Sequence, residues 1–170
     1  MAINNSILSI IGFILSAYSV YVEHKVEANS HDDGNTNPDE EFRALCDIEA
    51  IGASCSAVFQ LPEGKMLSFF GIVPEGSVLD IPNGILGMLF YAYVFIRYNM
   101  RSSSKLILLD KRVNGVICSL ALASSLFLAR KLYVIKEICV VCLSTHIINT
   151  TVFCRAVMET FSPKQKAKVT

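Results

Sequence analysis

The chain has 170 residues, of which 52% are hydrophobic and only 18% are charged, and its 15 basic residues balance its 15 acidic ones. A soluble domain carries about 25% charged residues, so this composition, with a mean hydropathy of +0.47, argues against a soluble globular protein. Because the basic residues form no patch on a polar domain, we also expect no nucleic-acid partner.

Four runs lack Asp, Glu, Lys and Arg: 1–22, 81–96, 113–129 and 138–154. A membrane helix needs about 17 to 25 mostly apolar residues, and flanking arginines such as Arg97 can extend the shorter runs by reaching the headgroups. We therefore predict an all-α integral membrane protein, a four-transmembrane-helix bundle that forms a single membrane domain over 1–170. Buried helices of a soluble bundle are the alternative, but they require a polar face at a period of 3.6 residues, which segment 85–96 lacks. The predicted spans are approximately 3–23, 81–98, 113–133 and 138–157.

The charges between the runs predict an orientation. Residues 22–80 hold 12 acidic residues against three basic ones, whereas 97–112 hold five basic residues against one acidic. Basic loops stay in the cytoplasm, so we expect both termini there, together with a cytoplasmic loop at about 99–112. The segment at about 24–80 becomes a lumenal loop with short helices. The turn at 130–137, with three basic residues and one acidic, departs from this rule; a cleaved signal peptide over the first run is disfavoured because the run lacks a basic start.

The last run opens with Cys139-Val140-Val141-Cys142, a dithiol that can close to a disulfide and carry two electrons. Residues three apart share one face of a helix, and the free N–H groups and partial positive charge of a helix N-terminus stabilise a thiolate. At the start of a membrane helix, this pair would join aqueous thiol chemistry to lipid-soluble molecules. From the residues alone, a structural disulfide and half of a four-cysteine zinc site remain alternatives.

Two further cysteines, Cys46 and Cys55, lie in the acidic segment. On one continuous helix they would be about 13 Å apart along the axis, beyond the Cα separation of about 7 Å that a disulfide allows. A bonded pair therefore requires a break in the helix, which Gly52-Ala53-Ser54 offers. Two pairs on the oxidising side of the membrane suggest a relay by thiol–disulfide exchange. The remaining cysteines lie inside predicted spans, where we expect small buried hydrophobes: Cys118 and Cys154.

Two polar residues of the predicted spans are candidates for contacts with a substrate. His146 shares a helix face with both cysteines of the Cys-x-x-Cys motif, where it could donate to a carbonyl or move a proton; a buried histidine bonded to a neighbouring helix is the alternative. Asn83 follows Pro82, and both residue types are common at helix starts. The amide of Asn83 could instead stabilise charge on a substrate oxygen.

Taken together, these motifs resemble the vitamin K epoxide reductase family, four-span enzymes of the endoplasmic reticulum. The matching segments follow in the family's order and cover nearly the whole chain. They are Arg43-Ala44-Leu45-Cys46-Asp47, Ser54-Cys55-Ser56 with Val58-Phe59, Asn83 through Gly87 into Phe90-Tyr91, and Cys139 through Cys142.

The resemblance implies a role for each matched cysteine. Cys142 would be the thiolate that attacks the substrate, and Cys139 would resolve that adduct. Cys55 would pass electrons to Cys139 through a transient Cys55–Cys139 disulfide, and Cys46 would exchange with a thioredoxin-like lumenal oxidoreductase. Cys46–Cys55 and Cys139–Cys142 would be the two reversible disulfides. The implied substrate-binding residues are Asn83, His146, Phe59 and Phe90.

The implied function is thiol-dependent reduction of vitamin K 2,3-epoxide and vitamin K quinone in the endoplasmic reticulum membrane. A dithiol would be the reductant, and we expect no tightly bound cofactor and no metal. One alternative is a quinone-coupled disulfide oxidase that supports oxidative protein folding; another is a structural four-span protein with a stapled loop. The chain departs from the family in having eight residues rather than seven between Cys46 and Cys55, and in having His146 where a tyrosine is common. The second departure concerns substrate contacts and the binding of coumarin-type inhibitors.

Overall fold

The computed structural model describes residues 4–30, 44–47, 54–55, 58, 64–99 and 110–161. Over these ranges the protein is helical and contains no strand. Its helices, in chain order, are α1 (Asn5–Ser30), α2 (Met66–Phe69), α3 (Asn83–Asn99), α4 (Lys111–Ile135) and α5 (Val140–Phe161).

Three of these helices are long and apolar enough to cross a membrane, namely α4, α5 and the Asn5–Ala28 portion of α1. In each of these helices only a minority of the residues is buried inside the protein, so most of the apolar surface of the helix is left for lipid. The prediction of an all-helical membrane protein is therefore confirmed for the described residues. The predicted span at 81–98 stays a prediction. It corresponds to α3, which has 17 residues, about 26 Å of helix, and is not among these three helices.

Small residues allow α1 and α3 to pack closely. A Cβ added to Gly84 would lie 2.5 Å from Ser19 Oγ and 2.9 Å from the Ser16 carbonyl oxygen, and a Cβ on Gly87 would lie 2.5 Å from Ser16 Oγ. Close backbone approach is a common way for helices to associate in lipid, where the hydrophobic effect does not drive them together. These two glycines therefore determine how near α3 lies to α1.

The last two helices form a hairpin. Asp110 caps α4 by accepting a hydrogen bond from the Arg112 backbone N–H at 2.7 Å, and the helix ends at Lys136, whose φ of +59° is left-handed. Only residues 136–139 separate α4 from α5, so the two helices return side by side. Because α5 also contacts α1, the hairpin packs against the α1–α3 pair.

Two apolar clusters hold the bundle together. In the first, the ring of Tyr91 occupies the space that a side chain on Gly12 would fill, and its core consists of Leu8, Tyr91, Val94, Cys118, Ile148, Val152 and Ala156. The second cluster surrounds the cysteines near the end of α1 and the start of α5. Its buried members are Val22, Val26, Ala44, Cys46, Cys55, Cys139 and Val141.

The described segment 64–82 lies at the same end of the bundle as the second cluster. Lys65 Nζ donates to Glu27 Oε1 of α1 at 2.9 Å, and this carboxylate raises the pKa of the Lys65 ammonium group. The rings of Phe69 and Phe70 lie 5.9 and 5.0 Å from Phe127 of α4. The segment therefore extends from α1 to α4 beside the start of α3.

Two expectations about single side chains are wrong. Cys118 is buried as expected, but Cys154 is exposed on α5, because the lipid-facing side of a membrane helix accepts a small apolar residue as readily as the core does. Arg97 does not extend outward to headgroups: it is 2% exposed and its guanidinium lies 3.5 Å from Glu159. A buried arginine needs such a carboxylate partner.

Candidate redox site

Cys139 directly precedes α5 and acts as its cap. Its Sγ accepts a hydrogen bond from the Cys142 backbone N–H at 3.3 Å, and its carbonyl oxygen accepts one from Leu143 N–H at 2.9 Å. A serine or aspartate oxygen commonly occupies this place at a helix N-terminus. The sulfur of Cys139 is thus held where a backbone donor and the helix dipole stabilise the thiolate.

Cys46 and Cys55 form a disulfide with a Cα–Cα distance of 5.8 Å. Asp47 orders both ends of this link, because its carboxylate oxygens accept hydrogen bonds from the backbone N–H groups of Ala44 at 3.1 Å and Cys55 at 2.5 Å. Both cysteines are buried. The residues 48–53, where the sequence predicts a break in the helix, lie outside the described part of the chain.

The disulfide lies directly against the Cys-x-x-Cys motif. Cys139 Sγ is 3.4 Å from Cys55 Sγ, which is van der Waals contact for two sulfurs. The backbone fixes this contact, since Ser54 N–H donates to the Ile138 carbonyl oxygen at 2.9 Å one residue before each sulfur. Attack by one of these sulfurs on a disulfide that contains the other requires no large rearrangement.

Helix α1 supports this arrangement from one side. The hydroxyl of Tyr18 accepts a hydrogen bond from Leu45 N–H at 2.9 Å, which ties the residue before Cys46 to the helix. Val22 and Val26 of α1 are buried among the cysteines. The sulfurs therefore lie in an apolar setting at one end of the bundle.

Cys139 and Cys142 are both free thiols in this structure. The disulfide predicted between them is not formed here and stays a prediction. Cys142 is half-buried among the residues that pack on the second cluster. The ligand atoms of Cys46, Asp47 and Cys55 lie within 4.8 Å of one another, as in a metal site. However, the disulfide removes the two thiolates that a zinc ion would need.

His146 lies on α5, one turn after Cys142, and contacts the neighbouring α4. Its Nδ1 is 2.6 Å from Ser125 Oγ, and the same hydroxyl accepts a hydrogen bond from Asn149 Nδ2 at 3.2 Å. His146 Nε2 is buried and has no hydrogen-bond partner among the described residues. The bond to Ser125 agrees with a histidine bonded to a neighbouring helix. The second ring nitrogen leaves room for the other interpretation, in which His146 contacts a substrate.

Asn83 is the first residue of α3, and its side-chain oxygen accepts a hydrogen bond from Met66 N–H at 3.1 Å. It thus joins the start of α3 to α2, at the end of the bundle where the cysteines lie. Phe90 is half-buried, packs on the first cluster and has its ring 5.2 Å from that of Tyr91. Phe59 lies outside the described residues.

The sequence interpretation missed several polar residues around the site. Asp47 appeared there only as part of a matching segment, yet its carboxylate bonds both of the chain segments that the disulfide joins. Ser125 was not singled out as the partner of His146, nor were Asn149, which donates to Ser125, and the hydroxyl of Tyr91, which donates to Asn149. Their signal was present, because polar side chains inside apolar runs are costly in lipid and are often functional.

The matches between this sequence and known proteins point to one family. Residues 5–157 match the model of the vitamin K epoxide reductase family. The chain is 32% identical over 148 residues to vitamin K epoxide reductase complex subunit 1 of Rattus norvegicus, and 34% identical over 148 residues to the subunit of that name from Mus musculus. Each alignment covers 84% of this chain and 80% of the relative. The chain therefore belongs to the vitamin K epoxide reductase family.

Proposed function

We propose that this enzyme reduces vitamin K 2,3-epoxide and vitamin K quinone with electrons that two cysteine pairs carry from an aqueous dithiol. The observation that supports this most strongly is the 3.4 Å contact between Cys139 Sγ and Cys55 Sγ. It joins the Cys46–Cys55 disulfide to the Cys-x-x-Cys motif. The name of the rat and mouse relatives refers to reduction of the epoxide, and family membership supports the same substrate class here.

In the proposed cycle, the electrons are on the substrate side when Cys139 and Cys142 are thiols and Cys46–Cys55 is a disulfide. From this state the Cys142 thiolate adds to the quinone or opens the epoxide. Cys139 then attacks the sulfur of Cys142, the substrate leaves with two electrons, and a Cys139–Cys142 disulfide forms. With two protons, the epoxide gives quinone and water, and the quinone gives hydroquinone.

The second pair returns the motif to its reduced form. A thioredoxin-like lumenal oxidoreductase reduces Cys46–Cys55 to two thiols, and its own dithiol becomes a disulfide. The Cys55 thiolate then attacks Cys139, releases Cys142 and forms the transient Cys55–Cys139 disulfide. Finally, Cys46 attacks Cys55, which restores the Cys46–Cys55 disulfide and frees Cys139.

The proposed substrate lies beside Cys142, with polar contacts at its oxygens and apolar contacts elsewhere. Asn83, whose amide oxygen holds the Met66 N–H at the start of α3, is the proposed amide contact to a quinone oxygen. His146 donates to a substrate oxygen from one turn below Cys142, while Phe90 and Phe59 line the apolar part. No tightly bound cofactor enters this scheme. Coumarin-type inhibitors would compete for the same pocket.

We place the protein in the endoplasmic reticulum membrane with four spans and both termini in the cytoplasm. The acidic residues of 22–80 and the basic residues of 97–112 support this orientation. In this orientation α3 also crosses the membrane. It has only 17 residues, and the interfacial regions of the bilayer at its two ends accommodate the missing length. The disulfide then lies on the oxidising side, where it can persist.

The decisive test replaces Cys142 with serine and follows reduction of vitamin K 2,3-epoxide and vitamin K quinone in membranes supplied with dithiothreitol. We expect both activities to fall to the background of membranes without the enzyme. Cys154→Ser is the matched control, because Cys154 is an exposed thiol of the same helix, and it should retain full activity. Retention of activity in Cys142→Ser would remove the cysteine from its role.

The same assay separates the alternative functions. Rapid reduction of the quinone without turnover of the epoxide would favour a disulfide oxidase. Thiol alkylation followed by peptide mass mapping tests the structural alternative, since a redox pair gives partial and exchangeable oxidation at Cys139 and Cys142. Complete and inert pairing there would favour a structural disulfide.

A further inference from the structure

Four polar side chains from three helices form a hydrogen-bonded chain inside the apolar bundle. Tyr91 of α3 donates its hydroxyl to Asn149 Oδ1 of α5 at 2.8 Å. Asn149 Nδ2 donates to Ser125 Oγ of α4 at 3.2 Å, and Ser125 Oγ lies 2.6 Å from His146 Nδ1 of α5. We call this series of contacts the polar chain.

The hydrogens of the polar chain can be assigned by counting donors and acceptors. The NH₂ group of Asn149 can only donate, so Ser125 Oγ is an acceptor in that bond. The hydroxyl hydrogen of Ser125 then has one acceptor among its contacts in the described residues, which is His146 Nδ1. If Nδ1 carried the hydrogen instead, the serine hydrogen would lie buried without an acceptor, at a cost that the first assignment avoids.

This assignment places the hydrogen of the imidazole on Nε2. That nitrogen is buried and has no acceptor in the described part of the chain. A buried donor without a partner is unfavourable, so an acceptor atom supplied by a bound molecule would be stabilised there. Because His146 follows Cys142 by four residues, this donor lies on the same helix face as the attacking sulfur.

We propose that Tyr91, Asn149 and Ser125 are positioning residues that hold His146 as a neutral imidazole with its Nε2–H directed at the substrate oxygen next to the carbon that Cys142 attacks. This inference rests on the proposed function and deepens it. His146 forms no covalent bond and transfers no electrons in this role; its N–H stabilises the negative charge that develops on the quinone or epoxide oxygen. The site therefore selects molecules that present a hydrogen-bond acceptor at that position.

The polar chain predicts a particular coupling between residues. In the native background, Ser125→Ala frees the imidazole to place its hydrogen on either nitrogen, so we expect kcat to fall about tenfold while KM changes little. His146→Gln keeps an NH₂ donor near the position of Nε2, and an amide needs no partner to choose its tautomer. In the His146→Gln background, Ser125→Ala should therefore have almost no further effect on kcat.

Two variants control for structural effects. Ser124→Ala removes the neighbouring hydroxyl of the same helix and should leave kcat unchanged, and Ser125→Thr restores the hydroxyl and should recover most of the activity. An equal loss from Ser125→Ala in both backgrounds would assign Ser125 a structural role and overturn the inference. So would full activity of Ser125→Ala.

A spectroscopic readout separates this inference from the proposed function. In purified protein with ¹⁵N-labelled histidine, the His146 resonances can be assigned by their loss in His146→Gln. We expect Nδ1 to have the shift of an unprotonated nitrogen in the native protein and a mixed shift in Ser125→Ala. A protonated Nδ1 in the native protein would contradict the polar chain, even if the epoxide is reduced. If the tautomer is as expected but neither substrate turns over, the proposed function fails instead.

Discussion

Single side chains at the redox site act mainly through the backbone groups that they hold. Asp47 illustrates this, because its two carboxylate oxygens accept hydrogen bonds from Ala44 and Cys55, on either side of the Cys46–Cys55 disulfide. Cys139 does the same with its sulfur, which accepts from the N–H of Cys142. In both cases the geometry of the sulfurs depends on an acceptor atom a few residues away.

Replacing Asp47 with asparagine should loosen the disulfide segment. Asparagine has one acceptor oxygen, so one of the two backbone N–H groups loses its partner, at a cost of about 1–2 kcal/mol. We expect a lower melting temperature in detergent and faster reduction of Cys46–Cys55 by an added dithiol. Glu75→Gln, a like change at an exposed residue of the described loop, should alter neither quantity. Equal behaviour of the two variants would show that Asp47 does not hold the segment.

The contact between Cys55 and Cys139 predicts a disulfide that can be trapped. In the double variant Cys46→Ser/Cys142→Ser, each of the two sulfurs has lost its usual partner while the 3.4 Å contact remains. Mild oxidation should then link Cys55 to Cys139 in most molecules, as peptide mapping without reductant would reveal. The single variant Cys142→Ser, which retains Cys46–Cys55, should give far less of this link. Absence of the link in the double variant would mean that the two pairs do not exchange.

A residue of the site can be predicted from the sequence when the residues that it acts with are near it in the chain. The four cysteines of the proposed relay lie in short motifs, and the Cys-x-x-Cys motif is recognisable because a spacing of three residues places both sulfurs on one face at the start of a helix. The partners of His146 were not predictable, since Ser125 lies on another helix. Which residue of α4 faces His146 depends on the rotation of the two helices about their axes, and an apolar run in lipid does not encode that rotation.

At the scale of whole helices, two kinds of contact determine the packing. Glycine allows α3 to lie against α1, whereas the polar chain joins α3, α4 and α5. The runs without charged residues predicted the long helices, because length and apolarity are what a membrane demands. They did not predict that Arg97 would turn inward to Glu159, because burial of a charge depends on a carboxylate from a distant part of the sequence.

The glycine contacts can be tested by adding one methyl group. Gly84→Ala places its Cβ against the backbone oxygen of Ser16, which cannot move aside, so we expect a loss of about 1–3 kcal/mol in the free energy of unfolding. Gly87→Ala meets a serine side chain that can rotate, and should cost less. Gly115→Ala is the matched control, because its nearest neighbour would be 3.9 Å away and alanine favours a helix by up to about 1 kcal/mol. Thermal unfolding in one detergent would rank the three, and an equal effect at Gly84 and Gly115 would contradict the close packing.

Across the whole molecule, the two ends of the bundle carry different chemistry. The four cysteines of the proposed relay gather near the end of α1 and the start of α5. Near the start of α1 and the end of α5, charged and amide groups pair instead, as in the contacts of Arg97 with Glu159 and of Asn99 with Ser6 at 3.1 Å. Because the cysteines lie at one end of the bundle, the proposed relay can exchange electrons with a dithiol on only one side of the membrane.

The charges of the connecting segments predict which compartment that is. With 12 acidic residues in 22–80 and a basic 97–112 segment, the cysteine end should face the lumen. In sealed microsomes, a membrane-impermeant maleimide should therefore modify Arg112→Cys directly, and Glu75→Cys only after the membrane is opened. Labelling of the unaltered protein gives the background from the native thiols. The reverse pattern would place the Cys46–Cys55 disulfide in the cytoplasm, where the thiol pool keeps cysteines reduced, and a lumenal reductant could then no longer reach it.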